Sequence, residues 1–114
     1  MDLPVLQASR NDTDTVRMLA NAQRATEFLK ALAHEGRLLI LCHLASGECS
    51  VTELEHLLAQ RQAAVSQQLA RLRFEGLVET RRDGKAIYYR LAEGPTQKVL
   101  ELLYELFCAG DDAK

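Results

Sequence analysis

The chain has 114 residues, 47% of them apolar, and carries 14 Lys+Arg against 16 Asp+Glu for a net charge of −2. This length fits one domain with a modest core, the charge excludes a bulk polycation, and so small a core favours burying further apolar surface against a second copy. No apolar run approaches bilayer-spanning length, no basic-then-apolar leader opens the chain, and three cysteines are too few and too odd in number for a secreted disulfide scaffold; a cytoplasmic protein with no membrane partner is expected.

Residues 1–11 show no sustained period and read as a flexible N-terminal tail; 12–108 form the domain and 109–114 a C-terminal tail. Asp12 or Thr13 can cap a first helix running to about Leu32, with Val16, Leu19, Ala20, Phe28, Leu29 and Leu32 along an apolar stripe. A second helix, about Glu35 to Ala45, is almost wholly apolar after Arg37 and should be buried on several sides, until Ser46-Gly47-Glu48 breaks it. Ser50 followed three residues later by Glu53 is a capping box for a third helix with Leu54, Leu57 and Leu58 inward. After a short link comes a Gln/Ser-rich helix, Gln62 to Phe74, with Val65, Leu69 and Leu72 at i, i+4, i+7 facing a core, and Gly76 stops it. Two β-prone runs, Leu77 to Arg82 and Lys85 to Leu91, flank an Asp83-Gly84 turn and predict a hairpin. Gly94-Pro95 then starts a last helix, Thr96 to Cys108.

This order predicts an α+β, mainly α fold: a winged helix-turn-helix with a two-stranded β-wing, homodimeric through its first and last helices. Their stripes, Val16, Leu19 and Gln23 in one and Leu100, Leu103, Tyr104 and Phe107 in the other, exceed what one small core covers and mark the dimer interface. Charge is uneven. Between Gln60 and Arg90 seven basic residues face three acids, a local +4 that leaves −6 for the remainder, as expected where one face is offered to phosphates. Double-stranded DNA is therefore the expected partner, read by Gln62, Ala63, Ala64, Ser66, Gln67, Gln68 and Arg71 on the helix, with Arg81, Arg82 and Lys85 on the wing. Alternation along a strand leaves open whether Arg81 faces outward or turns to Glu79 or the sheet. A Cys-x-x-Cys motif, a βαβ pattern and a Gly-rich phosphate loop are all missing, so an enzyme with catalytic residues is not expected.

The segments Phe28 to Leu41, Ser50-Val-Thr-Glu-Leu54, Val65-Ser-Gln-Gln-Leu-Ala-Arg-Leu72, Glu75-Gly-Leu-Val78 and Ile87-Tyr-Tyr-Arg-Leu91 together resemble the ArsR-type winged-helix repressors, continuously from about Ala25 to Leu91. The resemblance implies a homodimer whose two Gln/Ser helices enter successive major grooves of a pseudo-palindromic operator, with wings on the flanking backbone and an inducer that weakens binding.

Departures from the family pattern narrow the inducer. The arsenic and cadmium sensors carry a Cys-Val-Cys-Asp-Leu type segment where this chain has Ser50-Val-Thr-Glu-Leu54, and the zinc and nickel sensors carry Asp, His and Glu pairs on a last helix that here contains no His or Asp. His34, His43 and His56 are scattered and read as surface or packing residues, so no metal and no cofactor is expected. Cys42 continues the stripe of Leu38 and Cys108 that of Tyr104; spacing alone leaves both readable as small buried hydrophobes. A cysteine in the second helix with another in a C-terminal Leu-Tyr-x-Leu-Phe-Cys segment, however, resembles the BigR/SqrR-like, persulfide-responsive branch. By position this implies that Cys42 and Cys108 form the sensing pair, joined by a disulfide or longer sulfur bridge when reactive sulfur accumulates, that Cys49 is spare, and that the regulated genes handle sulfide. Release by another oxidant, a metal or a small ligand stands as the alternative.

Overall fold

The computed structural model of the chain describes residues 12–59 and 62–108. Both tails expected at 1–11 and 109–114 lie outside the described residues, as do the side chains of Asp12, Gln62 and Ala63. Among the described residues five helices and three strands run in the order α1 (Asp12–Leu32), α2 (Glu35–Ala45), β1 (Cys49–Ser50), α3 (Val51–Leu58), α4 (Gln62–Phe74), β2 (Val78–Asp83), β3 (Ala86–Leu91) and α5 (Thr96–Phe107). This is the winged helix-turn-helix that the sequence predicts.

Local chemistry sets the boundaries. Ser50 Oγ accepts from the Glu53 amide at 3.1 Å while Glu53 Oε1 accepts from the Ser50 amide at 3.0 Å, the reciprocal box that starts α3. At the end of α4, Gly76 adopts φ +78°, its amide donates to the Arg73 carbonyl and the Leu77 amide to the Leu72 carbonyl. That left-handed closure satisfies carbonyls the helix leaves open, and a side chain at this φ would be strained. The cap of α2 is one that the sequence does not announce. His34 Nδ1 accepts from the Gly36 and Arg37 amides at 3.1 and 3.4 Å, a role usually held by Ser, Thr, Asp or Asn.

The sheet differs from expectation in two respects. It has three strands in the order β1-β3-β2, the two-residue β1 pairing Cys49 with Tyr89 and Ser50 with Tyr88. The wing turn is displaced by one residue: Asp83 pairs with Ala86, so Gly84 and Lys85 form the turn rather than Asp83 and Gly84. Gly84 has φ +63°, and a glycine at the first central position is what a II′ hairpin turn requires. In this register Arg81 stands opposite Tyr88 and Arg82 opposite Ile87.

The core gathers Ala31 and Leu32 of α1, Ile40, Leu41 and Leu44 of α2, Leu54 of α3, Val65, Leu69 and Leu72 of α4, Val78 of β2 and Leu100 of α5. The inward stripe expected of α4 is fully buried, each such side chain contributing about 1.5–3 kcal/mol of transfer free energy. By contrast α1 is exposed along most of its length before Phe28. The described residues have a radius of gyration of 17.1 Å and extents of 54 × 38 × 21 Å, against about 13 Å for a compact domain of this size. Among the described residues no helix is long and apolar enough to cross a membrane.

Candidate nucleic-acid interface and thiol pair

With Val65, Leu69 and Leu72 held in the core, helical geometry turns Ala64, Ser66, Gln67 and Arg71 to solvent. Gln68 is turned differently: it is half-buried against α2, its Oε1 accepts from Arg37 Nη1 at 3.3 Å and its Nε2 lies 3.5 Å from His34 Nε2. The same guanidinium donates through Nε to the Ala31 carbonyl at 2.7 Å and through Nη2 to the Lys30 carbonyl at 3.1 Å. Arg37 thus closes the C-terminus of α1 and fixes α4 against it. These partners are six, seven and 31 residues away in sequence, beyond any local pattern.

The basic residues of the head divide into two sets. Arg71 Nε bonds Glu75 at 3.0 Å and Arg90 Nε bonds Glu79 at 3.1 Å. Arg81 donates to Glu48 through two nitrogens, has Asp83 3.8 Å away, and lies over the Tyr88 ring at 4.8 Å from its centroid. That hydrogen bond from Arg81 holds the Glu48 carboxyl below its ordinary pKa. Of the two orientations left open for Arg81, it takes the one across the sheet, with Glu48 rather than Glu79 as partner. Arg73, Arg82 and Lys85 form no ion pair among the described residues and are exposed.

A second feature lies between α2 and α5. A cleft of about 480 Å³ is lined by Cys42, Ala45, Ser46, Gln97, Leu100 and Tyr104 together with Glu101 and Glu105. Cys42 is exposed rather than buried as the apolar run of α2 suggested, because the core takes Ile40, Leu41 and Leu44 and leaves Cys42 on the side facing α5. Cys108 is also exposed, at the end of α5, whereas Cys49 is 8% accessible and belongs to the core. All three are free thiols, and no disulfide joins Cys42 to Cys108 in this structure. The rim of the cleft partly desolvates Cys42, and this burial, followed by the neighbouring Cys108 thiolate, pushes its pKa up. Burial likewise raises Cys49, with Glu53 adding to it. No cluster of three or more His, Cys, Asp or Glu that could hold a metal ion occurs among the described residues.

Comparison with known proteins places this geometry. The model of the arsR family of bacterial regulatory proteins matches residues 34–80. The biofilm growth-associated repressor of Agrobacterium fabrum is 48% identical over 104 residues, 89% of each chain. The chain belongs to the ArsR family. Among solved ArsR-like structures, reduced HlyU from Vibrio cholerae superimposes with a TM-score of 0.78 at 43% identity, covering 81% of this chain and 97% of that one. The transcriptional repressor BigR from Xylella fastidiosa gives 0.76 at 43% identity, covering 83% and 97%. As an ArsR-family protein the chain is a DNA-binding transcription regulator and not an enzyme.

Of the residues expected at the subunit interface, Val16 is 67% and Phe107 73% exposed, and Leu19 and Tyr104 are at least half exposed. Gln23 is exposed and Leu103 half-buried. Leu100 faces inward, 5% accessible, and anchors α5 to its own core. Leu29, Leu102 and Leu106, which the sequence does not place at the interface, extend the exposed apolar faces.

Proposed function

We propose that this ArsR-family chain is a cytoplasmic, homodimeric, operator-binding repressor that reactive sulfur species release from DNA by linking Cys42 to Cys108, so that sulfide-handling genes are expressed. The observation that carries the reading is the division of the three cysteines. Two are exposed and free, Cys42 on the α2 wall of the cleft and Cys108 at the C-cap of α5, while the third lies in the core. The apolar surfaces of α1 and α5, from Val16 and Leu19 to Leu106 and Phe107, support pairing with a second copy through these helices.

In the proposed chemistry the Cys42 thiolate attacks the outer sulfur of an organic persulfide, RSSH. The S–S bond breaks, RS⁻ leaves and takes from solvent the proton that Cys42 gave up on ionising, and Cys42 carries S–SH. Attack by the Cys108 thiolate on the Cys42 Sγ closes a disulfide and expels hydrogen sulfide; if Cys108 has itself become S–SH, its terminal sulfur attacks instead, giving a trisulfide with the same loss of hydrogen sulfide. Longer bridges follow from further sulfur transfer. Because the attacking species is the thiolate and the Cys42 pKa is raised, sulfur transfer quickens as pH climbs toward that pKa.

A bridge ties α2 to α5, and α2 packs on both α1 and the reading helix α4. Shifting α5 in a dimer built on α1 and α5 changes the separation of the two heads, which must meet grooves about 34 Å apart. The cleft itself favours a second reading, release by a small molecule seated beside Cys42. A Cys42→Ser/Cys108→Ser double variant separates the two: it stays on DNA under persulfide if the thiols are the switch, and is still released if an occupant of the cleft is.

A further inference from the structure

We propose that Glu48 masks Arg81 from DNA, so that the wing offers phosphates two cations, Arg82 and Lys85, instead of three. Arg81 stands on β2, at one edge of the β1-β3-β2 sheet, opposite Tyr88 on the central strand, and Glu48 immediately precedes β1 at the other edge. The Arg81 side chain therefore lies flat across the sheet. Its guanidinium covers the Tyr88 ring at 4.8 Å and meets both carboxylate oxygens of Glu48, with Nε–Oε2 at 3.3 Å and Nη2 on Oε1. Asp83 adds a second carboxylate at 3.8 Å.

Planar, two-toothed pairing is the geometry in which arginine binds phosphate. A phosphate that recruits Arg81 must displace the matching carboxylate and lift the guanidinium from the ring. The salt dependence of DNA binding arises from counterions released as cations neutralise phosphates. Exchanging one anion for another on Arg81 releases none, because Glu48 then draws a cation from solution. Arg82 occupies the alternate strand position, on the opposite face, with no ion pair among the described residues. Glu48 is thus a positioning residue that lowers the electrostatic, sequence-independent part of binding. This rests on DNA binding by the head and not on the thiol switch.

The test is a salt titration of the full-length reduced chain on a duplex of random sequence, about 30 base pairs long so that both heads of a dimer can engage, with the parent, Glu48→Gln, Arg81→Ala and the double variant. Glu48→Gln is expected to tighten binding and to steepen the dependence of log K on log salt by about one unit for each wing engaged. In the Arg81→Ala background the same change is expected to do nothing. Arg81→Met, which keeps an unbranched stem over Tyr88, supplies a second charge-free background should the alanine variant not fold. The proposal is overturned by an unchanged slope in Glu48→Gln, by weaker binding, or by an equal rise in both backgrounds, which would mean that deleting a negative charge acts at a distance. A parent chain and a Glu48→Gln variant that both fail to bind the random duplex at low salt would also overturn the proposal, since unmasking Arg81 must add sequence-independent affinity.

Discussion

The reading head and the thiol-bearing flank are built on opposite plans. In the head, α4 buries Val65, Leu69 and Leu72 completely and ends in a glycine closure, and three of the head's arginines are paired with acids. On the flank, α5 is anchored through Thr96 and Leu100, leaves Leu102, Tyr104, Leu106 and Phe107 at the surface, and borders an open cleft with a free thiol on its wall. The head is complete within one chain. On the proposed reading the flank is completed by a second copy, and a covalent link there would move α5 without unfolding what reads DNA. Control of affinity is best placed where packing is unfinished, because a fully packed core resists graded displacement.

The sharpest way to break this contrast is to attack the two plans separately. Leu69→Ala in the head is expected to cost about 2–5 kcal/mol of stability, read by denaturant unfolding, since a fully buried leucine leaves a cavity. A small loss would mean that the head is loosely packed after all. Leu103→Glu, half-buried on α5, should shift sedimentation from dimer toward monomer and weaken operator binding by about 1–3 kcal/mol, though it lies outside the DNA surface. An unaltered dimer would move the interface away from α5. Gln67→Ala, exposed on α4, should cost about 1–3 kcal/mol on the operator and relax preference at one position per half-site; a uniform loss over all sequences would assign it to phosphate positioning. Arg82→Ala is expected to have the smallest effect, reducing the salt slope by about one unit per wing on specific and random DNA alike. An unchanged slope would take the wing off the DNA.

The same contrast explains what was legible in the sequence. The start of α3 and the bounds of α4 follow from short-range signals: the Ser50–Glu53 box for the first, and the period of Val65, Leu69 and Leu72 closed by Gly76 for the second. The wing turn slipped by one residue because Asp-Gly and Gly-Lys both satisfy hairpin chemistry, and strand pairing decided between them. β1 is two residues long and gives no period to detect. Cys42 sits in an apolar run, and only the packing of Ile40, Leu41 and Leu44 on one side shows that the thiol is on the other. Leu100 and Leu103 share one stripe in sequence, yet the first belongs to the subunit's own core. Arg81 with Glu48, and Arg37 with Gln68, are joined across 33 and 31 residues, and local patterning says nothing of such pairs. Their signal is tertiary.

The central claim, a two-thiol switch acting on a finished head, is tested most directly by mass spectrometry of the persulfide-treated chain run beside operator titration. The parent should gain an intramolecular Cys42–Cys108 bridge and lose affinity by about 5- to 150-fold, the usual range of allosteric coupling, and a strong thiol reductant should restore it. Cys42→Ser and Cys108→Ser should bind the operator and stay bound under persulfide, while Cys49→Ser, altered only in the core, should be released like the parent. Full persulfide-induced release of either Cys42→Ser or Cys108→Ser would contradict the two-thiol mechanism, and a parent that acquires the bridge yet keeps its grip on the operator would contradict the switch.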